Sequence, residues 1–183
     1  NAPKVELIRK WAEGMPVERS PRGYESLLIE RDSNGVGKTM LACCVLKAII
    51  NRFDQTARER SPYQFWTTSR VKQRIRAAQR FGGPEIEQDI YRDFATMWLL
   101  VLDDLGKEKP AGADASLVEE MYYTIVNDRY NNELPMLITS NLGQESAESG
   151  GLCLSDLVGK AAASRLQEMT GGKQYLIEGE NRR

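Results

Sequence analysis

Histidine is absent from all 183 residues of this chain, and that single absence removes Ser-His-Asp and Cys-His nucleophilic mechanisms together with every histidine-ligated metal site. Cysteine is scarce. Of the three, Cys43 and Cys44 are adjacent and Cys153 stands alone, so neither a zinc-ligand spacing nor a disulfide framework is present. No apolar run approaches the ~20 residues that a bilayer-spanning helix needs, and no segment has the form of a secretory signal. An excess of charge of one sign is missing too: 25 Lys and Arg face 26 Asp and Glu, a formal net charge of −1, so the chain lacks a global basic footprint for nucleic acid. These exclusions read as a soluble, cytoplasmic protein whose chemistry rests on carboxylates, lysine, arginine and a metal. With 41% hydrophobic and 28% charged residues, the chain can bury one substantial core and is most economically one domain.

Against this background one stretch stands out. Asn34-Gly35-Val36-Gly37-Lys38-Thr39 follows the apolar Leu27-Leu28-Ile29 and opens the apolar run Met40-Leu41-Ala42-Cys43-Cys44-Val45-Leu46. Strand, glycine-rich turn and helix in that order form a phosphate-binding loop: glycines let backbone N–H groups turn inward, lysine reaches the β/γ oxygens, and the threonine hydroxyl ligates magnesium. The nucleotide-binding residues are therefore Asn34, Gly35, Val36, Gly37, Lys38, Thr39 and Met40. The pattern G-x-x-x-x-G-K-[ST] asks for glycine where this chain has Asp32, and a carboxylate there would repel phosphate unless it points outward.

A metal-bound nucleotide needs a carboxylate from a neighbouring strand. Trp98-Leu99-Leu100-Val101-Leu102 is an apolar run ending in Asp103-Asp104, the form of a Walker B strand at the carboxyl edge of a parallel sheet. Asp103 would join Thr39 on Mg²⁺, and Asp104 would polarise the attacking water. A third strand signal, Pro135-Met136-Leu137-Ile138-Thr139-Ser140-Asn141, sets Asn141 at the same edge, where its amide could bond the γ-phosphate or the water; taken alone, Thr-Ser-Asn after a strand is more often an ordinary turn than a site.

Around these motifs the pattern alternates strand and helix, which implies a parallel, doubly wound sheet. Helices are expected over Val5 to Met15, Thr39 to Arg52, Ser69 to Phe81, Pro84 towards Phe94, and Asp114 to Asn131. Pro16 to Gly23 reads as a linker, so residues 1–23 form an N-terminal helix and connection and 24–183 the core. The helix after the loop is apolar nearly all round, which predicts burial, with Cys43 and Cys44 as small buried side chains. Tyr63 to Thr68 has strand composition, and a last edge strand is expected over Lys173 to Gly179.

Arg70, Lys72, Arg74, Arg76 and Arg80 fall together without an acidic residue among them. On a helix Lys72, Arg76 and Arg80 form an i, i+4, i+8 stripe opposite Val71, Ile75 and Ala78. Such a stripe could track a phosphate backbone, or be a solvated face paired with Glu85, Glu87 and Asp89.

In order along the chain, Gly-Val-Gly-Lys-Thr, Leu-Leu-Val-Leu-Asp-Asp-Leu-Gly, Asn127-Asp128-Arg129-Tyr130, Leu137-Ile138-Thr139-Ser140-Asn141-Leu142 and Ala163-Ser164-Arg165-Leu166 resemble the AAA+ ATPase domain of bacterial and phage replicative helicase loaders of the DnaC/DnaI type. Transposition helper ATPases of the IstB type share the series. The resemblance runs from about Glu25 onward and implies a P-loop three-layer αβα fold with a mainly parallel sheet, ATP/ADP and Mg²⁺ as ligands, and self-association into a ring or spiral. Its partners would be a replicative DNA helicase and single-stranded DNA, in the cytoplasm of a bacterial or phage-infected cell. It makes Asn141 the sensor residue and Arg165 the finger that reaches a neighbouring subunit's nucleotide; the bland alternative for Arg165 is a solvated or salt-bridged helix arginine, since sequence does not show a subunit boundary. It places Lys72, Arg74, Arg76 and Arg80 towards a DNA channel. Two departures accompany it: an N-terminal helicase-docking domain is not in this sequence, and after the last strand there is no room for a helical lid. A transposition regulator with duplex DNA as partner, and a nucleotide-sensing adaptor with little hydrolysis, remain alternatives, as does a small-molecule kinase.

Overall fold

The computed structural model describes residues 2–30, 37–53, 62–82, 84–106, 113–142 and 153–176. Five strands, β1 (Leu27–Glu30), β2 (Tyr63–Thr67), β3 (Leu99–Leu105), β4 (Met136–Ser140) and β5 (Gln174–Leu176), form one sheet in the order β2-β3-β4-β1-β5. Every pairing in it is parallel. Helices α1 (Ala2–Gly14), α2 (Lys38–Ile50), α3 (Thr68–Ala77), α4 (Pro84–Thr96), α5 (Ala113–Asn131), α6 (Leu154–Val158) and α7 (Lys160–Met169) cover its faces. The fold is the three-layer α/β arrangement expected.

Side-chain alternation along the strands divides the core in two. Leu28, Leu100, Leu102, Met136 and Ile138 face one layer, where they meet Val71 and Ile75 of α3, Phe94 of α4, Ile125 of α5 and Leu166 of α7. Leu27, Ile29, Leu99, Val101 and Leu137 face the other, packing on Ala42, Val45 and Ile49 of α2 and on α1. The strands are buried on both sides and therefore read as unbroken apolar runs.

Helix α1 is held to this second layer by a stripe at i, i+3, i+4 and i+7: Ile8, Trp11, Ala12 and Met15 are buried. Its end is tied down by side chains. Arg52, just past α2, donates to the carbonyls of Ala12 (2.5 Å) and Met15, and the Tyr24 hydroxyl donates to Trp11 O at 2.6 Å. These bonds satisfy carbonyls that a helix C-terminus leaves orphaned.

Two expectations about the helices are corrected. Only one face of α2 is buried, and Met40 (70% exposed), Cys43, Cys44, Lys47 and Ala48 lie on the outer face. Apolar composition all round does not bury a helix that packs on a sheet from one side. Within the sequence-predicted helix over Ser69 to Phe81, α3 proper stops at Ala77 and a π-helical turn, Ala78–Gly82, follows. Pro84 then opens α4 at the first helical position, where its missing N–H costs nothing.

Arg129, from the Asn-Asp-Arg-Tyr segment, is fully buried. It donates to the carbonyls of Phe94 (2.5 Å), Met97 (3.0 Å), Trp98 (3.4 Å) and Pro135 (2.5 Å), stapling α5 to the start of β3 and of β4. Burial pushes its guanidinium pKa down to about 9, and the carbonyls offset that by bonding the charged form.

Candidate functional site

The strand order decides what meets at the carboxyl edge of the sheet. Because β4 lies between β1 and β3, the residue leaving β4 is placed between the helix that follows β1 and the carboxylates that end β3. Gly37, in the left-handed region at φ 90°, turns the chain into α2, so Lys38 and Thr39 sit on its first turn. Lys38 is 7% exposed and Asp103 3% exposed.

A circuit of hydrogen bonds then joins the three elements. The Lys38 ammonium donates to Asn141 Oδ1 at 2.6 Å. The Asn141 amide nitrogen donates to Asp104 Oδ1 at 3.3 Å. The Asp104 backbone N–H donates to Thr139 Oγ1 at 2.9 Å, and the Thr139 hydroxyl donates to Asp103 Oδ1 at 2.6 Å. Thr39 completes it, its hydroxyl lying 3.1 and 3.0 Å from the two Asp103 oxygens. Thr139 is the member the sequence reasoning passed over; the signal was its alternation, since the residue two before Asn141 faces the same side of the strand.

Asp104 is not a simple strand terminus. It sits at φ 67°, one of two described non-glycine residues with positive φ, inside a register shift: β3 advances from Leu102 to Leu105 while β4 advances from Ile138 to Ser140. One extra residue on β3 is a β-bulge, which re-aims a side chain away from the regular alternation. Gly106 follows at φ 93°, and a Cβ there would come within 2.5 Å of Leu142 Cγ. The Asp-Asp-Leu-Gly and Thr-Ser-Asn-Leu segments thus interlock backbone to side chain.

Thr39 and Asp103 offer hard oxygen donors converging on one point at the helix N-terminus, a set that fits Mg²⁺. Cys43, one turn further along α2, is near enough that partial desolvation first and the Asp103 charge second push its thiol pKa up. Asp32, Asn34, Gly35 and Val36 lie outside the described residues.

The remaining expected site residues are elsewhere. Arg165, on α7, lies with Cζ 5.2 Å from the ring centre of Tyr123 and 5.8 Å from that of Tyr130, both on α5. Its Nη1 is buried without a hydrogen-bond partner among the described residues, and the Tyr130 hydroxyl is fixed by Glu168 at 2.6 Å. On α3, Arg74 turns inward over Trp66 (5.3 Å) and Phe94 (5.7 Å) and reaches Asp93 at 3.3 Å. Lys72 and Arg76 are half-exposed and Arg80 exposed, with Val71, Ile75 and Ala78 buried opposite them.

No protein-family model matches the chain, and no curated protein matches it. Solved structures do. The DnaC helicase loader is 26% identical, with a TM-score of 0.68 over 94% of this chain and 87% of that one. DnaI is 20% identical, with a TM-score of 0.66 over 98% of this chain and 84% of its own. AMPPCP-bound DnaA from Aquifex aeolicus is 18% identical, with a TM-score of 0.63 over 96% of this chain but 45% of DnaA. The chain resembles AAA+ domains of the DnaC/DnaI type in fold.

Proposed function

We propose that this chain binds ATP with Mg²⁺ and hydrolyses it as the AAA+ domain of a DNA-replication helicase loader, using nucleotide to assemble on a helicase and single-stranded DNA and hydrolysis to reset. The observation that carries the reading is the circuit Lys38, Asn141, Asp104, Thr139, Asp103, Thr39, which gathers a buried lysine, a hydroxyl–carboxylate oxygen pair and a second carboxylate at one edge of the sheet, the groups that phosphate and Mg²⁺ would need. The likeness to DnaC supports the replication context.

In this reading Lys38 and the loop residues through Met40 hold the β- and γ-phosphates. Thr39 and Asp103 would hold Mg²⁺, whose contribution when bound is to neutralise charge on the phosphate oxygens. Asp104 polarises the attacking water, and Asn141 orients it or the γ-phosphate. Arg165 acts on the nucleotide of an adjacent subunit, so turnover depends on assembly. Lys72, Arg76 and Arg80 supply a salt-sensitive contact to the DNA backbone.

The test is Mg²⁺-dependent ATP hydrolysis across protein concentrations, with and without single-stranded DNA, with Lys38→Ala as the blank. Turnover per subunit that rises with concentration and with DNA supports the reading. Tight ATP binding with no turnover under any condition would replace it by a nucleotide-sensing adaptor.

A further inference from the structure

We propose that Thr139 is a positioning residue for hydrolysis, its one buried hydroxyl tying the metal-side carboxylate of Asp103 to the backbone N–H of the water-side Asp104, with Thr68, the first residue of α3, as its counterpart on the other side of β3. The proposal rests on the reading of Asp104 as the water-polarising group.

A left-handed, non-glycine residue in a bulge costs on the order of 1–3 kcal/mol and persists only where its surroundings hold it. Here both ends of residue Asp104 are held by threonines. Its N–H donates to Thr139 Oγ1 (2.9 Å) from β4, and its carbonyl accepts from Thr68 Oγ1 (3.2 Å) at the junction of β2 and α3. Both threonines are 1% exposed. A hydroxyl has one proton to donate and lone pairs to accept. Thr139 gives its proton to Asp103 Oδ1 at 2.6 Å, a charge-assisted bond, while accepting from Asp104. The consequence is geometric: Asp103 cannot rotate and Asp104 cannot leave the left-handed region without breaking a bond to the same oxygen. Valine has threonine's shape without the hydroxyl, and serine has the hydroxyl without the methyl, so the two variants separate bonding from packing.

The experiment compares Thr139→Val, Thr139→Ser, Thr68→Val and Asp104→Asn in steady-state hydrolysis, in equilibrium binding of a fluorescent ATP analogue, and in backbone amide exchange at residue 104. Thr139→Val is expected to lower kcat roughly 10–100-fold, the usual cost of removing a partner that orients a site carboxylate. Nucleotide affinity should stay within about threefold, because the phosphate-binding loop is untouched, and the Asp104 amide should exchange faster. Thr139→Ser should restore both, and Thr68→Val should give a smaller loss of the same kind. Equal losses in Thr139→Ser and Thr139→Val would overturn the proposal, as the hydroxyl would then not be what matters. Undiminished turnover in Asp104→Asn would strike at the role of Asp104 and at this proposal with it. Loss in Asp104→Asn beside normal turnover and normal amide protection in Thr139→Val would overturn the proposal alone.

Discussion

The Lys38 ammonium donates a 2.6 Å hydrogen bond to Asn141 Oδ1, so the cation on the first turn of α2 and the amide leaving β4 are direct neighbours, with the other end of that amide on Asp104. Its two ends thus separate a buried cation from a carboxylate across a single amide.

Replacing Asn141 therefore has two distinct outcomes. Asn141→Ala should bind ATP nearly normally and lose about 10²-fold in kcat, the scale of removing one preorganised donor. Asn141→Asp should instead weaken binding, because it sets a second carboxylate between Lys38 and Asp104, where it pairs the lysine and repels phosphate. Titration with a fluorescent ATP analogue beside steady-state turnover checks both. Equal effects of Ala and Asp on affinity would remove the amide from this role.

For Arg165 the competing uses are a finger towards a neighbour and a clamp within its own chain. The guanidinium over Tyr123 and Tyr130 is a cation–π contact worth about 0.5–1 kcal/mol at a partly exposed site, small enough for the side chain to serve both. Arg165→Ala should bind ATP normally and lose hydrolysis. Mixing it with Lys38→Ala should recover part of the turnover, since each variant supplies what the other lacks. No recovery at any mixing ratio would leave the intramolecular clamp as the arginine's role.

How far the sequence carries the site depends on how local each device is. The loop, the Asp103-Asp104 strand end and Asn141 follow from short patterns in which strand, turn and residue type agree, and the sheet brings Lys38, Thr39, Asp103, Asp104 and Asn141 together. Thr139 and Thr68 are not legible in that way because their role depends on strand neighbours, and neither the β3–β4 bulge nor the order β2-β3-β4-β1-β5 is written in any one segment. Cys43 and Cys44 are misplaced by sequence for a related reason: hydrophobicity reports what a helix could bury, whereas the side from which the sheet approaches decides what it does bury. Arg129 shows the converse, a motif arginine consumed by four carbonyls of the scaffold.

The basic residues of α3 divide by the direction in which they lie, Lys72, Arg74 and Arg76 being half-exposed alike. Arg74 is committed to Trp66, Phe94 and Asp93, while Lys72, Arg76 and Arg80 lie on the outer side of α3 and its π-helical turn. Replacing those three by Ala should weaken single-strand binding and flatten its dependence on salt by up to about two units in log K against log salt, at ~0.7 for each phosphate no longer neutralised. Arg74→Ala should act mainly on stability. A triple variant with an unchanged salt slope would show that nucleic acid does not follow this face.

The left-handed backbone at Asp104 gives a prediction about stability that is independent of nucleotide. At φ 67° glycine carries no Cβ penalty, whereas alanine does. Asp104→Gly and Asp104→Ala both remove the carboxylate and its bond to Asn141, so their difference isolates the backbone strain. Glycine should be the more stable of the two by about 1 kcal/mol, less what its greater freedom in the unfolded chain takes back. Urea unfolding with matched m values measures the difference directly. Both variants should bind ATP and hydrolyse it poorly, which would place the strain at the residue that function requires and glycine cannot replace. If alanine were as stable as glycine, the threonine bonds at either end of residue 104 would not be holding a strained turn.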